Sequence, residues 1–110
     1  MKLKRKPLNP PRHLKRPGRD LWRGVMREYG IDDSAGATLL ATACACLDRL
    51  RAAQNLIEEH GETVKDRYDQ LKVNPACALE KDARAGLIAA IQAMNLDIEP
   101  LRDKPGRPPG

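Results

Sequence analysis

The chain has 110 residues, 20 Lys or Arg against 15 Asp or Glu, and a formal net charge of +5, with Trp22, Tyr29 and Tyr68 as its aromatics. That length accommodates one domain, and a core built mainly from Leu, Ile, Val and Ala is thin for a lone monomer, so oligomerisation is the expected remedy. Cys44, Cys46 and Cys77 are an odd number, no apolar stretch follows the charged N-terminus, and no run approaches the length of a membrane span, which together predict a soluble intracellular protein.

Charge is unevenly distributed. Residues 1–19 carry eight cations (Lys2, Lys4, Arg5, Lys6, Arg12, Lys15, Arg16, Arg19) and no acid, and residues 101–110 add a further +2, leaving −5 for residues 20–100. Cations concentrated in a terminal arm favour a polyanion, nucleic acid first. A membrane surface would call for an amphipathic apolar face or a lipid anchor as well. Pro7, Pro10, Pro11 and Pro17 are expected to keep the arm out of a helix. The resulting division is a flexible basic arm (1–19), a helical oligomerisation domain (20–100) and a basic Pro/Gly-rich tail (101–110).

Asp20 is placed to cap a short first helix, in which Trp22, Val25, Met26 and Tyr29 share a face and Gly30 is the stop. Asp32, Asp33 or Ser34 can cap a much longer helix that ends near His60 and Gly61. Along this spine Leu40, Ala43, Leu47, Leu50, Gln54 and Ile57 form a seam for another helix. Ala41, Ala45, Ala52 and Leu56 form a second strip of mostly small residues, roughly opposite. Two apolar faces on one helix predict two partners, one of them a neighbouring copy. Residues 62–73 suit a short hairpin or ordered loop. Asn74-Pro75 then opens a third helix, expected to lie antiparallel on the spine through Leu79, Ala83, Leu87, Ala90, Ile91 and Met94, with Asn95 as its cap and Pro100 beyond.

Candidate chemistry is sparse. Cys44 and Cys46 point about 200° apart on a helix and cannot clamp one metal. His60 reads as a partner of its helix dipole, since no nucleophile or matched carboxylate accompanies it. Neither GxxxxGK[ST] nor GxGxxG occurs, so no cofactor, metal or catalytic residue is predicted. The first two helices are similar to a helix-turn-helix, but residues 33–48 of the second contain no Lys or Arg to read base edges. DNA contact is therefore assigned to the arm, to Lys65, Arg67 and Lys72 between the long helices, and to Lys104 and Arg107 of the tail, whose Lys104-Pro105-Gly106-Arg107-Pro108 resembles an AT-hook without its first arginine.

The order of marks through the body resembles the small terminase subunit of tailed bacteriophages, in the family typical of cohesive-end packaging. These marks are Trp22, Gly30 with Asp32 or Asp33, Cys44, Gly61, Val64 through Tyr68, Lys72, Asn74-Pro75, Arg84, Leu96, Pro100 and Arg102. Two positions depart from the pattern, Asn95 before Leu96 and Asp69-Gln70 in a turn where Gly is common. The resemblance implies an all-α, ring-forming, non-enzymatic factor in the host bacterial cytoplasm that binds viral double-stranded DNA and hands it to the large subunit holding the ATPase and nuclease. Leu40, Ala41, Ala45, Leu47, Ala52 and Leu56 are the candidate oligomer-interface residues. The rival expectation is a phage or chromosomal transcription regulator using the same arm.

Overall fold

The structure is a computed structural model and describes residues 8–96. Lys2, Lys4, Arg5 and Lys6 of the arm, Lys104 and Arg107 of the tail, and Pro100 and Arg102 lie outside the described residues. The elements in order are α1 (Arg16–Tyr29), α2 (Ser34–His60), β1 (Thr63–Lys65), β2 (Leu71–Val73) and α3 (Ala76–Met94). The fold is mostly helical, with one small antiparallel sheet between its two long helices.

Helix α1 begins at Arg16, four residues before the expected cap at Asp20, and Pro17 sits in its first turn. Proline is tolerated there because a first-turn N–H has no intrahelical acceptor to lose. The cap comes from another helix. Asp48, on α2, accepts the Lys15 N–H at one carboxylate oxygen and the Gly18 N–H at the other, both at 2.7 Å. The described residues ahead of α1 are likewise seated on the body: Leu14 is buried, and the Trp22 indole donates to the Leu8 carbonyl at 3.1 Å. The arm boundary expected at residue 19 therefore cuts through a helix, and Arg16-Pro17-Gly18-Arg19 is helical rather than extended.

Gly30 ends α1 in the left-handed region, where its N–H reaches the Met26 carbonyl. Of the three candidate caps for α2, Asp33 takes the role, its Oδ2 accepting the Gly36 N–H at 2.8 Å. Gly61 closes α2 through a bond from its N–H to the Ile57 carbonyl. The hairpin pairs Thr63 with Val73, Val64 with Lys72 and Lys65 with Leu71. Asp66 organises its turn, with Oδ1 accepting the N–H groups of Tyr68 and Gln70 at 2.8 and 3.0 Å. Asp69 holds φ 64°, the conformation that favours Gly at this point of a hairpin.

Asn74 is a buried junction. Its side-chain amide donates to the Gly61 carbonyl at 2.8 Å, its Oδ1 accepts the Ala76 N–H at 2.9 Å, and its own N–H reaches the Glu62 carbonyl. One side chain thus ties the end of α2 to the start of α3, as a cap at an Asn-Pro step would. Asn95 closes α3 at φ 55°.

Helix α3 runs antiparallel to α2: Asn74 meets Gly61, Gln54 bonds Glu80, Gly86 abuts Cys46, and Met94 reaches the cluster around Leu40. The expected face packs at its centre, where Leu87 and Met94 are half-buried beside the alanines, and stays open at its edges. Ala76, Ala83 and Ala90 are buried, whereas Leu79 and Ile91 remain 57% and 38% exposed. Alanines at seven-residue spacing bring the two backbones close, and the larger side chains are displaced to the flanks. The main cluster lies at the other end of the hairpin, where Leu14 and Trp22 meet Leu40 and Cys44, with Leu21, Val25, Met26, Ala41 and Ala45 against it.

Candidate nucleic-acid interface

The described cations of the arm converge on one helix. Arg16 and Arg19 are exposed on α1, and the Arg19 guanidinium donates to the Arg12 carbonyl at 3.2 Å, bringing Arg12 alongside. Two further arginines, Arg23 and Arg27, are exposed on the same helix. At about 100° per residue, spacings of three, four and four place Arg16, Arg19, Arg23 and Arg27 within an arc of about 80°. Buried Gly18 and Trp22 lie outside that arc, about 140° and 100° from its centre. Sequence reading omitted Arg23 and Arg27 because it ended the basic arm at residue 19; the i, i+4, i+8 spacing of Arg19, Arg23 and Arg27 was the signal that could have found them.

Arg23 approaches Asp20 at 3.9 Å, with both side chains well exposed. A solvated pair of this kind leaves the guanidinium available to another anion. A cleft of about 370 Å³ separates residues 8–10 from α1, with Trp22 and Met26 in its wall and Arg23 and Arg27 at its side. Residues 8–10 therefore lie beside Arg23 and Arg27.

Lys65, Arg67 and Lys72 do not form a single patch. Lys65 and Lys72 occupy successive pairs of the hairpin register and hence opposite faces. Lys65 lies 3.5 Å from Asp69, and Arg67 rests over the Tyr68 ring at 5.7 Å. This cluster sits beyond His60, while α1 is capped at Asp48, a separation of roughly 18 Å along α2. The sequence-assigned cations in the described residues thus fall into two groups, one beside the middle of α2 and one beyond its C-terminal end.

The six candidate interface residues also separate. Leu40 is fully buried within the chain, Leu47 is half-buried, and Ala41 and Ala45 pack against the cluster that holds Trp22. The first half of the second strip thus lies against the chain's own core cluster, where a neighbouring copy was the expected partner. Ala52 and Leu56 remain exposed, and with Cys46, Arg49, Leu79 and Ala83 they line a groove of about 530 Å³ between α2 and α3.

Among the cysteines, Cys44 is fully buried, and its thiol is pushed up to about 12 by loss of solvent and by the nearby Asp48 carboxylate. Since the thiolate is the reactive form, a shift from 9.0 to about 12 leaves roughly a thousandfold less of it at pH 8. Iodoacetamide labelling followed by mass spectrometry should modify half-buried Cys46 and Cys77 first and reach Cys44 only in denaturant. Comparable native labelling of all three would contradict this placement. The same raised value has a sign for stability. The unfolded thiol ionises first, so the contribution of Cys44 to stability is constant below about pH 9 and declines as pH rises towards 12. His60, the last residue of α2, is exposed beside Glu59 at 3.9 Å. No helix among the described residues is long and apolar enough to cross a membrane.

Comparison with curated proteins and with solved structures returned no match. A family model described as "Phage terminase, small subunit" matches residues 18–100, which takes in α1 from Gly18 onward, all of α2, the hairpin and α3. With that match spanning most of its length, the chain belongs to the phage terminase small-subunit family.

Proposed function

We propose that this chain is a non-catalytic DNA-recognition component of a phage packaging machine. It acts in the host cytoplasm as a homo-oligomer, closed into a ring, that binds viral double-stranded DNA and presents it to the large subunit carrying the ATPase and nuclease. The family match over residues 18–100 carries this reading. Two features support it. Cations cluster at the N-terminal end of the sequence and on α1, over a body of net charge −5. The exposed Ala52, Leu56 and Leu79 offer a neighbouring copy an apolar surface beside the hairpin's own seam.

The test is retention of tiled duplex fragments from the genome that encodes the chain, measured together with native mass. Preferential retention of one fragment by an assembly weighing a multiple of 12.2 kDa is expected. Retention of none at 50 mM salt, or a footprint confined to promoters, would replace this reading with a structural or a regulatory one.

A further inference from the structure

We infer that the outer face of α1, carrying Arg16, Arg19, Arg23 and Arg27, is a rigid seat for the sugar-phosphate backbone of duplex DNA. The inference rests on the proposed DNA-binding function and names the surface that performs it. Rigidity comes from the residues of α1 that lie outside this row. Trp22 is buried and bonded to the Leu8 carbonyl, Gly18 lies against α2, and Asp48 holds the first turn through two bonds of 2.7 Å. The backbone positions that carry the arginines are therefore fixed before any ligand arrives.

Three observations select the ligand and its pose. A helix N-terminus ordinarily attracts phosphate through its free N–H groups and dipole. Here that position is taken by the Asp48 carboxylate, which would repel a phosphate. DNA must then meet α1 along its side, with no N-terminal approach to base edges of the helix-turn-helix kind. The row covers a rise of about 16 Å, with one guanidinium every 4.5 to 6 Å or so. A duplex strand presents one phosphate per about 3.4 Å of axis, so the row can face several at once, and guanidinium suits their paired oxygens.

The composition of the face argues against other partners. None of the large exposed hydrophobic residues (Leu8, Leu56, Tyr68, Leu71, Val73, Leu79, Ile88, Ile91) lies on α1. A protein interface would be expected to contain an apolar anchor. Base stacking on a single strand needs exposed aromatics, whereas Trp22 is buried and Tyr29 half-buried. What α1 offers outward is charge in a regular array, as backbone contact requires.

The experiment uses the full chain and a fluorescein-labelled 40-bp duplex of arbitrary sequence, with binding followed by anisotropy between 50 and 200 mM salt. Each phosphate released from contact lowers the log–log salt slope by about 0.9. The R23Q/R27Q variant should lower it by about 1.8 for each protomer in contact, and its affinity loss across that salt range should shrink about twelvefold. R23K/R27K should keep the slope, because counterion release depends on the charge and not on the shape of the cation. Both side chains are exposed, so the thermal melt should be unchanged.

An R23Q/R27Q slope equal to wild type, with a K2Q/K4Q/R5Q/K6Q variant lowering it, would overturn the α1 assignment and leave DNA binding intact. Absence of salt-dependent binding by the wild-type chain would remove both. Loss of large-subunit capture by R23Q/R27Q with no change in the DNA slope would reassign the row to an acidic protein surface.

Discussion

Leu40→Ala is expected to lower stability by about 3 to 5 kcal/mol, the range for deleting a fully enclosed leucine when the surroundings only partly collapse. Leu40 has no exposed surface and stands where α1, α2 and the end of α3 meet, among Leu14, Trp22, Cys44 and Met94. These neighbours are held on three helices, so closing the cavity would require a helix to move. Domains of this size have roughly 5 to 15 kcal/mol in total, and the loss should lower Tm by roughly 15 °C or more. Urea denaturation at fixed protomer concentration measures it, because assembly would make the midpoint concentration-dependent. Leu71→Ala is the control: Leu71 is 70% exposed on β2 and lies outside the groove offered to a neighbouring copy, so its loss should be about 1 kcal/mol or less. Equal losses for the two variants would contradict the placement of the core.

Gly18→Ala and Gly24→Ala should change stability in opposite directions although both lie inside α1. In an exposed helix interior, replacing glycine by alanine stabilises by about 1 kcal/mol. Gly24 has open surroundings, the nearest group to an added Cβ being the tip of Arg27 at 3.9 Å, so it should follow that rule. A Cβ on Gly18 would fall 2.8 Å from the Cys44 carbonyl oxygen and 2.7 Å from Asp48 Oδ2. The backbone oxygen cannot rotate away, so α1 must lift from α2. Lifting strains the two bonds that Asp48 makes to Lys15 and Gly18. Overpacking and the weakened charge-assisted bonds together should cost about 2 to 4 kcal/mol. Chemical denaturation of the two variants is the check. Stabilisation by Gly18→Ala would mean that α1 does not approach α2 this closely.

The parts of the fold that were legible in the sequence depend on local chemistry. Gly30 and Asn95 could be read as left-handed caps, Asp33 as one of three possible helix starts, and Asn74-Pro75 as the opening of α3, because each signal acts within a few residues. The polar stretch between the long helices was open to a hairpin because its apolar residues come in two short runs. The start of α1 was not legible. Pro17 gives two opposite readings, helix breaker or first-turn residue, and what decides between them is a carboxylate thirty residues away.

The arginine row was half legible for the same reason. Arg16 and Arg19 were counted with the arm, and only the true beginning of the helix places them with Arg23 and Arg27. Likewise, the small-residue strip on α2 could be recognised, but not the element that covers it. Ala41 and Ala45 lie against the chain's own core cluster, whereas Ala52 and Leu56 are left open.

By itself the amino-acid order determined three helices, the residues that close them, an antiparallel pairing of the two long ones, a concentration of charge at the N-terminus and the family resemblance. Caps and hydrophobic periodicity are properties of neighbouring residues, and net charge requires no geometry. Only the tertiary structure decided where α1 begins, and with it that Arg16 and Arg19 join Arg23 and Arg27, which residues of the α3 face are left open at its edges, and which part of the α2 strip is covered within the chain. Each of these is set by the approach of one helix to another, over distances along the chain at which no local preference acts.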